Sequence, residues 1–249
     1  IAKENDCGFD FVECPSWEEV RSDKKAFALA AKIQYDEHDA VSGKAVVQRC
    51  GDRLLIVNPP AAPLDSASLD EVAELPFTRE PHPMYADKGG VPAIEEVRFS
   101  IIHNRGCFGA CCFCSLAFHQ GRTVTSRSHQ SVLREAEKMT RHPEFKGYIS
   151  DVGGPTANFS HPSCEKQLEN GMCRGRACLF PKPCPNLDAD QTEYLKLLRK
   201  LRALPGIKKV FVRSGIRYDY LMCDESGELF AELVKHHISG QIKIAPEHC

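Results

Sequence analysis

The sequence lacks the marks of a membrane or secreted protein. No apolar run approaches the roughly 18 residues that a membrane helix requires, and no secretory signal pattern is present. The net charge is -2, so the composition carries no electrostatic sign of nucleic-acid binding. These absences predict a cytoplasmic protein with no membrane segment and no nucleic-acid partner.

The chain is rich in cysteine instead. Thirteen cysteines stand among 249 residues, and cytosolic thiols stay reduced and rarely form structural disulfides. Seven of the thirteen fall in two groups, which favours metal ligation over a disulfide framework. An apolar content of 42% is enough for the core of one large domain or two modest ones.

The first group is a short loop in which Cys107, Cys111 and Cys114 follow a C-x3-C-x2-C spacing. It comes directly after an apolar run at residues 97–103 that we expect to be a strand. Thiolates suit zinc, copper(I) and iron–sulfur clusters. A self-sufficient iron–sulfur cluster normally uses four protein thiolates, so a cluster held by these three has one iron open to another ligand.

A structural zinc site is the alternative interpretation of this loop. His119 would complete a Cys3His set of the kind that structural zinc uses. Cys112, inside the loop, is not expected to be a ligand, because neighbouring residues of an extended segment point in opposite directions.

The second group lies in an insert at residues 163–186, with the spacing C-x8-C-x4-C-x5-C. This insert has little apolar surface to order itself by burial, so we expect the cysteines to hold a second metal site. Four thiolates match structural zinc or a conventional iron–sulfur cluster, and the spacing does not choose between them. Four independent surface thiols are the remaining alternative. The cysteines are Cys164, Cys173, Cys178 and Cys184.

The sequence of residues 1–95 predicts a mixed, loop-rich region of helices and one hairpin. A capping box at Ser16 predicts a helix to about residue 36, and one at Ser68 predicts a short helix ending before Pro76. The predicted hairpin pairs residues 44–48 with residues 53–58. The proline-rich residues 76–92 predict a linker.

From Glu95 onward, strand and helix patterns alternate, which predicts parallel βα units. We expect an α/β fold, a partial, open TIM-like (β/α) barrel over residues 96–249, because four units are too few to close a barrel of eight. A short doubly wound sheet is the alternative. The predicted strands are residues 97–103, 146–152, 209–212 and 241–245. Three helices are predicted between them from their apolar faces, which are Val132, Leu133, Ala136 and Met139, then Tyr194, Leu197, Leu198 and Leu201, then Leu229, Phe230, Leu233 and Val234.

Unusual polar or glycine residues follow each of these strands, where parallel βα folds build their sites. After the cysteine loop come Gly153-Gly154, then Arg213-Ser214-Gly215, then residues 246–248. Glycines permit close approach of a ligand to the backbone. Ser214 could form a hydrogen bond with a ribose or carboxylate, although a solvated turn serine is the alternative.

The cysteine loop, with an aromatic residue before its last cysteine, resembles the signature loop of the radical S-adenosylmethionine superfamily. Segments 151–158, 212–219 and 244–248 extend the resemblance to the YgiQ-type members over residues 12–249. In that superfamily, three cysteines hold a [4Fe-4S] cluster whose fourth iron chelates S-adenosylmethionine. Extra sequence precedes and follows this segment in YgiQ-type proteins, so we expect a piece of a longer chain.

The resemblance implies roles for individual residues. Cys107, Cys111 and Cys114 would be the cluster ligands, and Phe113 would lie beside the adenine. Gly153 and Gly154 would lie beside the methionine moiety, although Pro155 replaces the acid of the superfamily's Gly-Gly-Glu motif.

The activity that the resemblance implies is reductive cleavage of S-adenosylmethionine to a 5′-deoxyadenosyl radical, which acts on a substrate that the resemblance does not identify. It implies a flavodoxin- or ferredoxin-like electron donor. The alternative class is a non-enzymatic module that binds zinc or electron-transfer clusters. No residue acting on the substrate can be assigned.

Overall fold

The protein is described by a computed structural model that covers residue 8, residues 10–111, residues 113–242 and residue 244. These residues form a mixed α/β structure of short strands and helices. The strands are β1 Phe11–Cys14, β2 Ala45–Cys50, β3 Arg53–Val57, β4 Ser100–Ile102, β5 Asn104–Arg105, β6 Thr125–Ser126, β7 Tyr148–Ile149, β8 Asp151–Gly153 and β9 Lys209–Val210. The α-helices are α1 Trp17–Ser22, α2 Lys24–Glu37, α3 Ser66–Glu74, α4 Ile94–Val97, α5 Leu116–Gln120, α6 His129–Thr140, α7 Glu165–Asn170, α8 Thr192–Ala203, α9 Tyr218–Leu221 and α10 Glu228–Glu232. A 3-10 helix covers Pro83–Lys88, and a π-helical turn covers Leu233–His237.

The N-terminal sheet has the order β1-β2-β3. Strands β2 and β3 form the predicted hairpin, with Cys50 paired to Arg53 across a turn in which Gly51 has a φ of 62°. Strand β1 runs parallel to β2 at the sheet edge and was not predicted. Its four residues are too few to show a clear alternating pattern.

The predicted helix from Ser16 to residue 36 is two helices. The Ser16 capping box is present, but α1 ends and α2 begins at Asp23, which has an extended backbone. The Asp23 N–H donates to the Glu19 carbonyl, and its side chain accepts from the Lys25 N–H at 2.9 Å. One residue therefore caps both helix ends, which the unbroken apolar pattern did not indicate.

The cap predicted for the next helix is also wrong. The N-cap of helix α3 is Asp65, three residues before the predicted cap Ser68. The Asp65 carboxylate accepts the Ser68 N–H at 2.8 Å. An aspartate and a serine are equally good caps, so the sequence alone did not distinguish the two starts.

Three of the predicted strand segments lie side by side in parallel. The β7–β8 segment is central, with β4 paired to β8 on one side and β9 paired to β7 on the other. The Ser150 N–H donates to the Phe99 carbonyl, and the Phe211 N–H donates to the Ile149 carbonyl. The described strands form no closed sheet.

Two strand boundaries require correction. The first strand begins at Ser100, because Val97 belongs to α4 and is 56% exposed. Of the predicted fourth strand, residues 243 and 245 lie outside the described residues, and Gln241 and Ile242 are not in a strand. Ile244 forms an isolated parallel bridge with Ile216.

Helices α6 and α8 bury their predicted faces against the parallel strands. The shared core joins the α6 residues Val132 and Met139 to Leu198 of α8 and to Ile149 and Val210 of the strands. The last predicted helix is only half right, because the chain changes to a π-helical turn after α10. Leu229 and Leu233 of that segment are buried, whereas the other two residues of its predicted apolar face, Phe230 and Val234, are exposed.

The N-terminal region contacts the rest of the structure through a buried ion pair and a hydrogen bond. The Glu135 carboxylate pairs with Arg79 of the predicted linker and with Arg127 at 2.5 Å. The Tyr35 hydroxyl donates to the Ala110 carbonyl of the cysteine loop at 3.2 Å. Among the described residues, no helix is long and apolar enough to cross a membrane.

Candidate functional site

The residue directly before the cysteine loop, Gly106, can only be a glycine. Gly106 has a φ of 84°, and a Cβ atom there would lie 2.1 Å from the Thr123 carbonyl oxygen. The Cys107 N–H then donates to the Gly121 carbonyl at 3.0 Å. This hydrogen bond joins the start of the loop to the segment that follows α5.

Phe108 anchors the loop from below. Its ring is 3% exposed and stacks on Phe159 with centroids 3.8 Å apart, and Tyr220 meets it edge-on. The Cys114 N–H donates to the Cys111 carbonyl at 3.1 Å, which closes the second half of the loop. Burial of Phe108 leaves the three thiols partly exposed at the surface of the loop.

A buried arginine stands beside these thiols. The Arg217 Nη1 atom lies 3.3 Å from Cys111 Sγ, and the Asp219 carboxylate accepts from Nε at 2.8 Å and from Nη2 at 2.6 Å. A Cβ atom on Gly109 would lie 2.7 Å from Nη1, so the glycine lets the guanidinium approach.

The charge of this arginine is fixed by its neighbours. Burial alone lowers the pKa of Arg217, but the hydrogen bond and charge of Asp219, together with the Cys111 and Cys107 thiols, raise that pKa above its ordinary value. The guanidinium therefore remains a cation, aimed at the sulfur atoms.

Thr156 links the diglycine segment to the same loop. Its hydroxyl lies 3.5 Å from Cys107 Sγ. The side-chain amide of buried Asn104 donates to the Thr156 carbonyl at 3.1 Å and also to the Phe159 carbonyl. The ends of the first two parallel strands are thereby joined under the cysteine loop.

Both predicted glycines are required by packing. A Cβ atom on Gly153 would lie 2.1 Å from Ser214 Oγ, and one on Gly154 would lie 1.5 Å from Asn104 Oδ1. A bulky residue at Gly154 would therefore displace Asn104 whether or not a ligand is bound. The Asn104 Oδ1 atom is buried and has no hydrogen-bond partner among the described residues.

Ser214 is held at the end of the third strand segment by Asp151. The Asp151 Oδ1 atom accepts the Arg213 and Ser214 N–H groups at 2.7 and 3.0 Å, and the Ser214 hydroxyl donates to Oδ2. The hydroxyl proton is thus engaged, and Ser214 Oγ faces Gly153 as an acceptor.

Two further predicted positions stand apart from this cluster. Phe113 is 70% exposed, and His119 is exposed on α5. Cys112 and residues 246–248 lie outside the described residues. Within the described part of the chain, no three His, Cys, Asp or Glu side chains are placed so that they could hold one metal ion. The Cys3His zinc arrangement is therefore not formed by these residues.

The insert cysteines converge on one cavity of about 540 Å³. Burial raises the pKa of Cys178, and the nearby Ser163 hydroxyl offsets part of this, while the Cys164, Cys184 and Cys173 thiols raise it further. Phe108 and Ala110 of the cysteine loop also line this cavity. All four cysteines, Cys164, Cys173, Cys178 and Cys184, line it, and none of them is in a disulfide.

Sequence reasoning missed the supporting residues of the site. Arg217, Asp219, Asn104 and Thr156 lie within the strand-end segments, but nothing in their spacing assigned them a contact. An arginine two residues before an aspartate after a strand end is the one signal that could have indicated the guanidinium.

Comparison with known proteins agrees with the resemblance to the radical S-adenosylmethionine superfamily. Residues 2–100 match the family described as Radical SAM N-terminal. The chain is 56% identical over 239 residues to a UPF0313 protein of Clostridium botulinum strain 657, covering 96% of this chain and 37% of the relative. It is 52% identical to a UPF0313 protein of Clostridium perfringens strain 13, covering 96% of this chain and 36% of the relative.

The chain thus spans little more than a third of the length of these curated relatives. The matched region nevertheless includes the cysteine loop, the strand ends and the insert, because the alignments cover nearly the whole chain. The chain belongs to the radical S-adenosylmethionine superfamily as a UPF0313 protein of the YgiQ type.

Proposed function

We propose that this chain carries the cofactor-binding part of a radical S-adenosylmethionine enzyme. In this proposal Cys107, Cys111 and Cys114 hold a [4Fe-4S] cluster, and S-adenosylmethionine chelates the iron that they leave open. The observation that carries the proposal is the buried, Asp219-clamped guanidinium of Arg217 beside Cys111 Sγ.

The donor set suits such a cluster. Three thiolates and their cluster form an anion, and a nearby cation stabilises an anion that is partly removed from water. Arg217 supplies that cation within hydrogen-bonding distance of Cys111 Sγ. When bound, the reduced cluster would supply the electron that breaks the S–C5′ bond of S-adenosylmethionine, giving methionine and a 5′-deoxyadenosyl radical.

The residues at the neighbouring strand ends would orient the cofactor. Gly153 and Gly154 would lie against its methionine moiety, Ser214 would accept from a ribose hydroxyl through Oγ, and Phe113 would cover the adenine. Pro155 cannot accept from the ammonium group, so we assign that contact to the unpartnered Asn104 Oδ1 beside Gly154.

We further propose that the parallel strands are the first units of a partial, open TIM-like (β/α) barrel. The three parallel segments, in the order β4, β7–β8 and β9, support this architecture, because a barrel of this kind begins with adjacent parallel strands. We place the boundary between an N-terminal region and this barrel near residue 95, and the match of residues 2–100 to one family model supports it.

A radical enzyme of this superfamily needs a reductant, and we propose a flavodoxin- or ferredoxin-like protein as the one-electron donor. Cysteines that serve as metal ligands suit a reducing compartment, so a cytoplasmic location is part of the proposal. The substrate is left open. The alternative of a non-enzymatic zinc or electron-transfer module is not favoured, because the chain belongs to a superfamily of radical enzymes.

The full-length protein is the material for the test, because the chain spans 37% of the first relative. After anaerobic reconstitution, Cys111→Ala is expected to lose the cluster and all formation of 5′-deoxyadenosine. Cys112→Ala is the matched control and is expected to retain both, since its thiol is not assigned as a ligand. Equal loss of iron and product in the two variants would reject the ligand assignment.

A further inference from the structure

The four insert cysteines are not used by the proposed radical chemistry, yet they share one cavity. Cys164, Cys173, Cys178 and Cys184 all line the cavity of about 540 Å³. Four unrelated surface thiols would have no reason to face the same space. The cavity also reaches Phe108, which lies between two of the proposed cluster ligands in the sequence.

The insert is tied in place around this cavity by polar contacts. Gln167 accepts the Ser163 N–H and hydroxyl and donates to the Arg122 carbonyl at 3.1 Å. The Cys184 N–H donates to the Cys178 carbonyl at 2.8 Å. At the other end, the Met172 N–H donates to Asp39 Oδ2 at 3.0 Å. The backbone that carries the thiols is thus held by both the N-terminal region and the parallel-strand region.

A buried cation lines the same cavity. Arg122 is 7% exposed, and its guanidinium stacks on the Tyr35 ring at 3.6 Å. Its Nε and Nη2 atoms are buried without a hydrogen-bond partner among the described residues. Burial lowers the pKa of Arg122, and Tyr35, Asp36 and Asp39 offset part of this. A buried guanidinium with two unused N–H donors nevertheless favours a further anion nearby. A tetrathiolate metal centre is such an anion.

The arrangement of the thiols suits a cluster better than a single zinc ion. In a tetrahedral zinc site with Zn–S bonds of about 2.3 Å, the four sulfur atoms converge to within about 4 Å of one another. No described group of three cysteines converges on one ion, although all four insert thiols surround one cavity. A cubane cluster binds each thiolate at a separate iron and therefore holds the sulfur atoms further apart.

We propose that Cys164, Cys173, Cys178 and Cys184 hold a second [4Fe-4S] cluster, with Arg122 balancing its charge. Four protein thiolates satisfy all four irons. This second cluster has no open iron and does not bind S-adenosylmethionine. It lies beside the cysteine loop on the side of Phe108 and Ala110.

The test uses the full-length protein, reconstituted anaerobically with iron and sulfide and assayed for iron, labile sulfide and zinc. We expect about eight iron atoms per chain, four for each cluster. A variant with Cys107, Cys111 and Cys114 all changed to Ala is expected to keep about four iron atoms. Its reduced protein should give an electron paramagnetic resonance signal that S-adenosylmethionine does not change.

The reciprocal variant, Cys178→Ala with Cys184→Ala, is expected to lose the other half of the iron and keep the signal that responds to S-adenosylmethionine. Cys223→Ala, outside both groups, is the matched control and should keep all the iron. Arg122→Gln should keep the iron but shift the potential of the unresponsive cluster to more negative values. An unchanged potential would overturn the role given to Arg122.

Wild-type protein with a single, responsive cluster would overturn the second cluster and leave the proposed function standing. Zinc in place of iron in the triple variant would overturn it as well. Wild-type protein that shows the unresponsive cluster but no signal responding to S-adenosylmethionine would instead count against the proposed function.

Discussion

Arg217 Nη1 lies 3.3 Å from Cys111 Sγ, while the Asp219 carboxylate holds the other two nitrogens of the same guanidinium. Arg217 is 2% exposed, so this cation is presented to the thiol through little solvent. Electrostatic interactions are stronger in such a site than in water. The pair therefore fixes a positive charge where a cluster held by the loop would gain an electron.

Replacement of Arg217 by Gln is predicted to make the first cluster harder to reduce. Removal of the nearby cation destabilises the reduced state, which carries one more negative charge, so the midpoint potential should become more negative. We expect a shift of about 60 mV, a tenfold change in a one-electron equilibrium. A redox titration of the reconstituted full-length protein, followed by electron paramagnetic resonance, measures it.

Arg213→Gln is the matched control for this prediction. Arg213 is exposed and pairs with Glu96 at 3.3 Å, so its loss should leave the potential unchanged. Iron content should be the same in both variants, because all three thiolates remain. Equal potentials for Arg217→Gln and the parent protein would show that the guanidinium does not act on the cluster.

Replacement of Glu135 by Ala is predicted to destabilise the protein by about 3–5 kcal/mol, because it leaves two buried cations unpaired. The Glu135 side chain is 11% exposed and pairs with Arg79 and Arg127. Urea denaturation followed by circular dichroism measures the change. Glu137→Ala, at an exposed position of the same helix, should change stability by no more than about 0.5 kcal/mol. Similar losses in the two variants would contradict the buried network.

His103 is predicted to make the cluster-free protein less stable in acid. Burial lowers the pKa of His103 to about 4, partly offset by its hydrogen bond to the Ala157 carbonyl. Between that value and the ordinary pKa of about 6.5, the unfolded chain binds more protons than the native chain, so stability falls as the pH falls. At pH 5 this amounts to about 2 kcal/mol.

His103→Gln tests this, because the glutamine amide can donate to Ala157 but does not titrate. The variant should lose about 2 kcal/mol less than the parent between pH 7 and pH 5. Urea denaturation at the two pH values provides the comparison. Parallel losses in the parent and the variant would show that His103 does not carry this pH dependence.

Patterns that repeat over many residues predicted individual helices and strands well. The apolar faces of α6 and α8 are buried as expected, and the hairpin of β2 and β3 is where its turn residues indicate. The ends of helices and strands were predicted less well, because they depend on contacts of single residues. Asp23 breaks one apolar pattern into two helices, and the short helix Ile94–Val97 takes the start of the expected first strand.

For the candidate site, the sequence proposes ligands but not their surroundings. The spacing of Cys107, Cys111 and Cys114 indicates metal ligation, and the family resemblance favours a cluster over zinc. The cluster stays a prediction that the neighbouring Arg217 supports. The contact between Arg217 and Cys111 joins residues 106 positions apart, and no local pattern specifies it. Gly154 was predicted as a site residue, but its close contact with Asn104 also gives it a packing role that the sequence did not indicate.

The most direct measurement is electron paramagnetic resonance of the chemically reduced full-length protein with and without S-adenosylmethionine. The signal that Cys111→Ala abolishes is predicted to change in line shape and g values on addition of the cofactor, because the cofactor binds the open iron. A spectrum of that signal that is identical with and without S-adenosylmethionine would contradict an open iron at Cys107, Cys111 and Cys114.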